Sequence, residues 1–195
     1  MTSKTNIYIN SVSALPVVIS GMKHNSDNYN LQLKGMIVLA KYVSVETLAG
    51  LTEKALVNPD VTDVAITRLK LYRDKEAMVK NCLEVLRVTS TFRKNRTRIF
   101  EMGAITHVTC VVVGFRHNVD IVCPAFLLLE TIGSMNRGRT EILERGLVKI
   151  ALSIMQQYED NQRVLAASMG MVSEAASEAE WSEAKRSGAK RASHN

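Results

Sequence analysis

Arg96-Thr97-Arg98-Ile99-Phe100-Glu101-Met102-Gly103 recurs as Arg139-Thr140-Glu141-Ile142-Leu143-Glu144-Arg145-Gly146, 43 residues further along the chain. The shared pattern is R-T-x-I-[F/L]-E-x-G, and the glycines are followed by Ala104-Ile105 and Leu147-Val148. The same offset relates Phe115 to Tyr158, Asn118 to Asn161 and Ile121 to Val164. A fixed period of this length is the mark of a stacked repeat, in which each unit buries its apolar face against the next.

The pattern extends backwards. Gly21-Met22-Lys23-His24-Asn25 matches Gly114-Phe115-Arg116-His117-Asn118, and Leu71-Tyr72-Arg73-Asp74-Lys75 falls between them. On this reading the large apolar residue closing one helix recurs as Met22, Tyr72, Phe115 and Tyr158, at spacings of 50, 43 and 43. The longer first spacing calls for an insertion of about seven residues, placed at Asn58-Pro59-Asp60 because Pro and its neighbours mark loops.

Within a unit the residues predict helices. Ile99, Phe100 and Met102 mark a short first helix, and Gly103 ends it by adopting a left-handed conformation without strain. Ile105, Val108, Val112 and Phe115 share one face of a second helix. His117-Asn118 makes the next turn. Asp120 is expected as the N-cap of a third helix carrying Cys123, Phe126, Leu127 and Ile132, with Pro124 in its first turn. The last unit repeats this over 147–158 and 162–178. The predicted fold is all-α: a right-handed α-α superhelix of about four three-helix repeats. The units run roughly over 14–55, 61–91, 92–135 and 136–178, between an extension at 1–13 and a basic tail at 179–195.

A three-helix unit with Gly-[Ala/Leu]-[Ile/Val] opening its second helix resembles the armadillo repeat, and the resemblance covers residues 14 to about 178. It implies a concave surface, built from the third helices, that binds an extended peptide or another protein. In import receptors of that family the surface carries a ladder of Asn residues, each with a Trp one turn earlier. The corresponding sites here read Lys41, Val88, Thr131 and Glu174, and Ile37, Glu84, Leu127 and Gly170. Neither ladder is present, which sets the import-receptor reading aside. The groove residues expected from the resemblance are Lys34, Lys41, Lys80, Glu84, Thr131 and Glu174.

Composition agrees with a helical chain. Of 195 residues 46% are apolar, too many for a disordered chain. Three prolines and ten glycines are few for the turns of an all-β protein. The three cysteines, Cys82, Cys110 and Cys123, show no C-x-x-C spacing and read as reduced thiols. No apolar run approaches the roughly 20 residues of a membrane span, and the N-terminus lacks the pattern of a cleaved leader. The expected compartment is the cytoplasm, with nucleus or cilium as variants.

The net charge of +6 is local. Residues 68–98 hold ten Lys and Arg against three Asp and Glu, a net of seven, so the remainder is nearly neutral. The densest run contains Arg93, Lys94, Arg96 and Arg98, at the start of a predicted helix, where cations oppose the helix dipole. It reads either as a solvated edge or as a patch for an acidic partner. A nucleic-acid backbone is the alternative partner, weakened by the scarcity of aromatics for base stacking. Trp181, the only Trp, reads as a cap on the last repeat, and 185–191 as a basic stretch of tail.

Phosphate-loop, dinucleotide and nucleophile-elbow motifs are all missing. His107 and Cys110 stand three apart on one helix without a third group to complete a site. His24 and His117 share a repeat position and read as turn or cap residues. Glu141 and Glu144 read as a solvated face beside Arg145. Met22, Met36, Met78 and Met102 suit packing between repeats. The expectation is therefore a non-enzyme without cofactor or metal: a protein-binding adaptor, or a subunit of a larger cytoskeletal or ciliary assembly.

Overall fold

A computed structural model describes residues 15–48 and 58–176. The N-terminal extension, the tail and Trp181 lie outside these residues. Every regular element among the described residues is an α-helix. In chain order they are α1 (15–24), α2 (Tyr29–Leu48), α3 (Pro59–Leu71), α4 (Glu76–Thr89), α5 (Arg93–Glu101), α6 (Ala104–Gly114), α7 (Val119–Gly133), α8 (Asn136–Glu144), α9 (Leu147–Gln157) and α10 (162–176).

The 43-residue period is exact in the helix bounds. Helices α5, α6 and α7 are each repeated 43 residues later by α8, α9 and α10. Gly103 and Gly146 produce the tight corner between first and second helices, at φ 75° and 66°. A β-carbon there would meet no atom within 4 Å, so only the left-handed backbone selects glycine. Gly103→Ala is expected to lower stability by about 1 kcal/mol, read as a shift in the urea midpoint at unchanged slope. Tyr72, Phe115 and Tyr158 close the second helices α3, α6 and α9 as their C-caps.

The first copy is set differently from the sequence alignment. The turn after α1 runs over 25–27 and that after α3 over 72–74, so Asn25, not Met22, is the counterpart of Tyr72. The first spacing is 47 residues. His24 and His117 are therefore not equivalent: His24 Nδ1 lies 2.8 Å from the Ser20 carbonyl, and His117 Nδ1 lies 2.9 Å from Gln157 Nε2. Nor is Asn58-Pro59-Asp60 an inserted loop. Asn58 caps α3 by accepting from the Asp60 N–H at 2.9 Å, and Pro59 opens the helix where its missing N–H costs nothing. Extra length appears instead in α2, which has 20 residues against 14 in α4.

Two further expectations are corrected at α7. Its N-cap is Asn118, whose side chain accepts from the Asp120 N–H at 3.1 Å, while Asp120 sits in the first turn. Asn28 and Asn161 make the same kind of bond, to the N–H of Leu31 and Val164. An amide side chain two or three residues ahead of a free N–H satisfies it as well as a carboxylate does. Pro124 lies inside α7, one turn beyond its start. It removes the N–H that would have bonded the Asp120 carbonyl.

Third helices form a continuous layer. α2 packs on α4 and α4 on α7. α10 continues the series, since a β-carbon at Gly133 of α7 would touch the Glu174 side chain at 3.2 Å. The second helices α3 and α6 pack behind α4 and α7. Between these layers lie Met22, Met36, Leu69, Met78, Leu83, Ile105, Ile121 and Phe126, all fully buried.

One core position breaks the pattern. Arg68 is 5% exposed and shares the inward stripe of α3 with Val61, Val64, Ala65 and Leu69. Its Nε is buried with no partner among the described residues. The equivalent residues of α6 and α9 are the buried Val111 and Ile154. Desolvating a guanidinium nitrogen without a new bond is unfavourable. Arg68→Val is expected to raise stability by about 1 kcal/mol, read as a higher denaturation midpoint at unchanged slope, and a loss of stability would show that the guanidinium holds the packing.

Candidate functional site

The third helices present their unburied faces on one surface. Counted from each helix start, the eighth residue after the first is Ile37, Glu84, Leu127 and Gly170, and the twelfth is Lys41, Val88, Thr131 and Glu174, of which Val88 alone is buried in the core. All six groove residues expected from the sequence stand on this layer. Lys34 and Lys41 are exposed on α2, without an ion-pair partner among the described residues. Lys80 on α4 is held by Glu76 at 2.9 Å and by Asp120 of α7 at 3.5 Å. Glu84 accepts from Arg87 at 2.8 Å and 3.0 Å and from Ser44 of α2 at 3.2 Å. The Thr131 hydroxyl donates to the Leu127 carbonyl, and Glu174 pairs with Arg139 at 3.4 Å.

These bonds cross from helix to helix. Ser44–Glu84 joins α2 to α4, Lys80–Asp120 joins α4 to α7, and Asp120–Arg163 at 3.7 Å joins α7 to α10. The Glu76 carboxyl is held below its ordinary pKa, first by the Lys80 ammonium and then by the Asn118 side chain. Lys80 is raised for the reciprocal reason. Gly170 is closely approached by its neighbour: a β-carbon there would stand 2.6 Å from Glu130 Oε2. Its absence lets the Glu130 carboxylate lie against the backbone of α10. Leu127 is 38% exposed beside it.

The basic run occupies the C-terminal rim of the same layer. Asn95 of α5 is buried and donates to the Thr89 carbonyl at the end of α4. Arg96 donates to the Ser134 hydroxyl just beyond α7. The first turn of α5 is thus wedged between the ends of α4 and α7. α8 repeats the arrangement, with Arg139 donating to the Gly133 carbonyl at 3.1 Å. Those helix ends carry negative dipole charge, so cations belong there although they oppose the dipole of their own helix. Arg98 turns away and forms a two-pronged pair with Asp63 of α3, at 2.5 and 2.6 Å. Arg93 and Lys94 are exposed and have no ion-pair partner among the described residues.

Of the other candidates, His107 is half-buried and Cys110 exposed. Burial, and then the cations of Lys70 and Arg73, push the His107 pKa below its ordinary value. Burial raises the thiols of Cys82 and Cys123. No group of three metal-binding side chains occurs among the described residues. Glu141 is held by Arg145 at 2.7 Å, while Arg137 lies 5.1 Å from the Phe100 ring centre. Among the described residues no helix is long and apolar enough to cross a membrane.

Sequence reading missed the residues that tie the surface together. Ser44, Arg87 and the Glu130–Gly170 contact carry no motif, Arg139 is marked only as a repeat residue, and only the helix register brings them into range. Asp63, the partner of Arg98, lies 35 residues away in another unit. No family model matches the chain, and no curated protein matches it.

Proposed function

We propose that the chain is a non-enzymatic adaptor or scaffold subunit, built from armadillo-like repeats, that binds another protein along the outer surface of its third helices. The observation that carries this reading is the contrast between the two faces of the third-helix layer. One face is packed inward, against α3 and α6 among others, and is largely apolar, with Gln32, Thr89 and Ser168 as its buried polar members. The other is covered by no further helix among the described residues, yet its side chains are linked from helix to helix by three separate sets of bonds: Ser44–Glu84 between α2 and α4, Lys80–Asp120–Arg163 across α4, α7 and α10, and Arg139–Glu174 between α8 and α10. A surface fixed in this way presents side chains to a partner with little entropy left to lose. The proposed setting is the cytoplasm, including a cytoskeletal or ciliary assembly.

Lys41→Glu combined with Thr131→Lys tests this reading, because both side chains face outward and neither holds a core contact. Co-purification followed by mass spectrometry is expected to lose the partners of the parent chain at unchanged helicity. Retention of every partner would contradict the proposal. A nucleic-acid reading of 68–98 has less to stand on. Lys75, Lys80, Arg87 and Arg98 are engaged by Asp74, Glu76, Glu84 and Asp63, and Arg68 is buried.

A further inference from the structure

We infer that the partner engages this surface through an acidic, extended polypeptide segment that also carries an apolar residue. The inference rests on the groove reading above and adds the chemistry of the occupant. Its basis is which charges the fold consumes and which it leaves over. On the third-helix surface Lys80, Glu84 and Glu174 are each matched by a neighbour of opposite sign. Arg96 and Arg139 are taken up at the helix ends, by Ser134 and by the Gly133 carbonyl.

What this surface and its rim leave without an ionic partner among the described residues is Lys34 and Lys41 on α2, Arg93 and Lys94 on the rim between α4 and α7, and Arg137 at the start of α8, over the Phe100 ring. Against these five exposed cations stands one carboxylate among the described residues, Glu130, which is half-buried against Gly170. The uncompensated charge of the surface is therefore positive at both α2 and α5. On α7, the next helix of the layer, the exposed side chain of Leu127 supplies an apolar contact.

Spacing sets the length of the segment. Packed helices lie about 8–10 Å apart, so the distance from α2 to α7 is roughly 20 Å, which about six residues of extended chain span. A segment of this length that carries several carboxylates and a leucine meets the cations and Leu127 at once. Nucleic acid would satisfy the charges but has no use for Leu127, and only Tyr72 and Phe92 lie in the basic segment to stack bases.

The test is fluorescence anisotropy with the full chain and labelled eleven-residue peptides at low and moderate salt. The first peptide carries acidic triplets at both ends and a central leucine. The others replace that leucine by serine, the acidic residues by lysine, or all charged residues by serine. A single-stranded oligonucleotide of equal length is the fifth probe. The acidic leucine peptide is expected to bind, and to bind about tenfold more weakly to the Lys41→Glu/Lys94→Glu chain, as loss of two charge contacts implies. Replacing the leucine, or Leu127→Asp in the chain, is expected to weaken it several-fold.

A neutral or lysine peptide that binds as tightly, and is lost on Leu127→Asp, would overturn the acidic segment while leaving the groove in place. Indifference of every peptide to Leu127→Asp would overturn the groove itself. Equal or tighter binding of the oligonucleotide, unchanged by Leu127→Asp, would overturn both in favour of a phosphate-binding surface. Helicity of each variant, followed by circular dichroism, separates these results from misfolding.

Discussion

Phe126→Ala is expected to destabilise the chain by about 4 kcal/mol, because it empties a fully buried aromatic site between stacked units. The position has counterparts in every third helix: Met36 on α2, Leu83 on α4 and Met169 on α10. The first three of the series, Met36, Leu83 and Phe126, are fully buried, whereas Met169 is 54% exposed. Repeat geometry accounts for the difference. This face of a third helix packs on the next one, and among the described residues nothing follows α10. Met169→Ala should therefore cost less than about 1 kcal/mol, since little area is lost from cover. Urea denaturation of the two variants, compared at equal slope, reads the contrast directly. Similar losses at both positions would mean that α10 is covered like the others and that the stack continues beyond it.

Gly138→Ala is expected to cost about 3 kcal/mol, as forced overpacking against an immovable group does. A β-carbon at this position would fall onto the Ile132 carbonyl oxygen, with Ile132 Cγ2 only 2.8 Å away. The obstacle is largely the backbone at the end of α7, which cannot swing aside. In the preceding unit the same place is held by Asn95, whose amide donates to the Thr89 carbonyl at 3.2 Å. Two solutions to one corner thus exist in one chain: a side-chain bond to the end of α4, and a direct approach to the end of α7. Thermal or chemical denaturation of Gly138→Ala beside Gly103→Ala would separate a steric cost from a backbone-conformation cost. An unaffected Gly138→Ala chain would show that α8 does not sit close against α7.

Much of the fold is legible in the sequence because repeats turn one weak local signal into several aligned ones. Gly103 and Gly146 are each ordinary glycines until the 43-residue offset pairs them, and both adopt the left-handed conformation. The same logic failed at the first copy. Gly21-Met22-Lys23-His24-Asn25 resembles 114–118 in residue type, but helix length in α2 and the cap at Asn58 fix the register at 47. Local similarity of a short string competes poorly with where a helix can start. Asn118 and Asp120, two residues apart, both have the chemistry of a cap, so residue type alone does not choose between them.

The surface was legible only in part. Helix register alone places Lys34, Lys41, Lys80, Glu84, Thr131 and Glu174 on one layer. Which charges remain free is not a local property. Arg98 is spent on Asp63 and Lys80 is shared between two helices, so a count of charges over 68–98 overstates what is offered to a partner. Nor does any pattern announce Arg68, whose anomaly shows only against Val111 and Ile154 in the neighbouring units.

The central claim, that the third-helix surface is where a partner sits, is tested most directly by site-specific photo-crosslinking. One crosslinkable residue would replace Leu127 on the third-helix surface, and another would replace Val113, which is 54% exposed on the second helix α6. Both chains would be irradiated in an extract of the cells that make the protein. The account predicts a discrete crosslinked partner at 127, lost when Lys41→Glu is added, and none at 113. Crosslinking at 113 with none at 127 would contradict it.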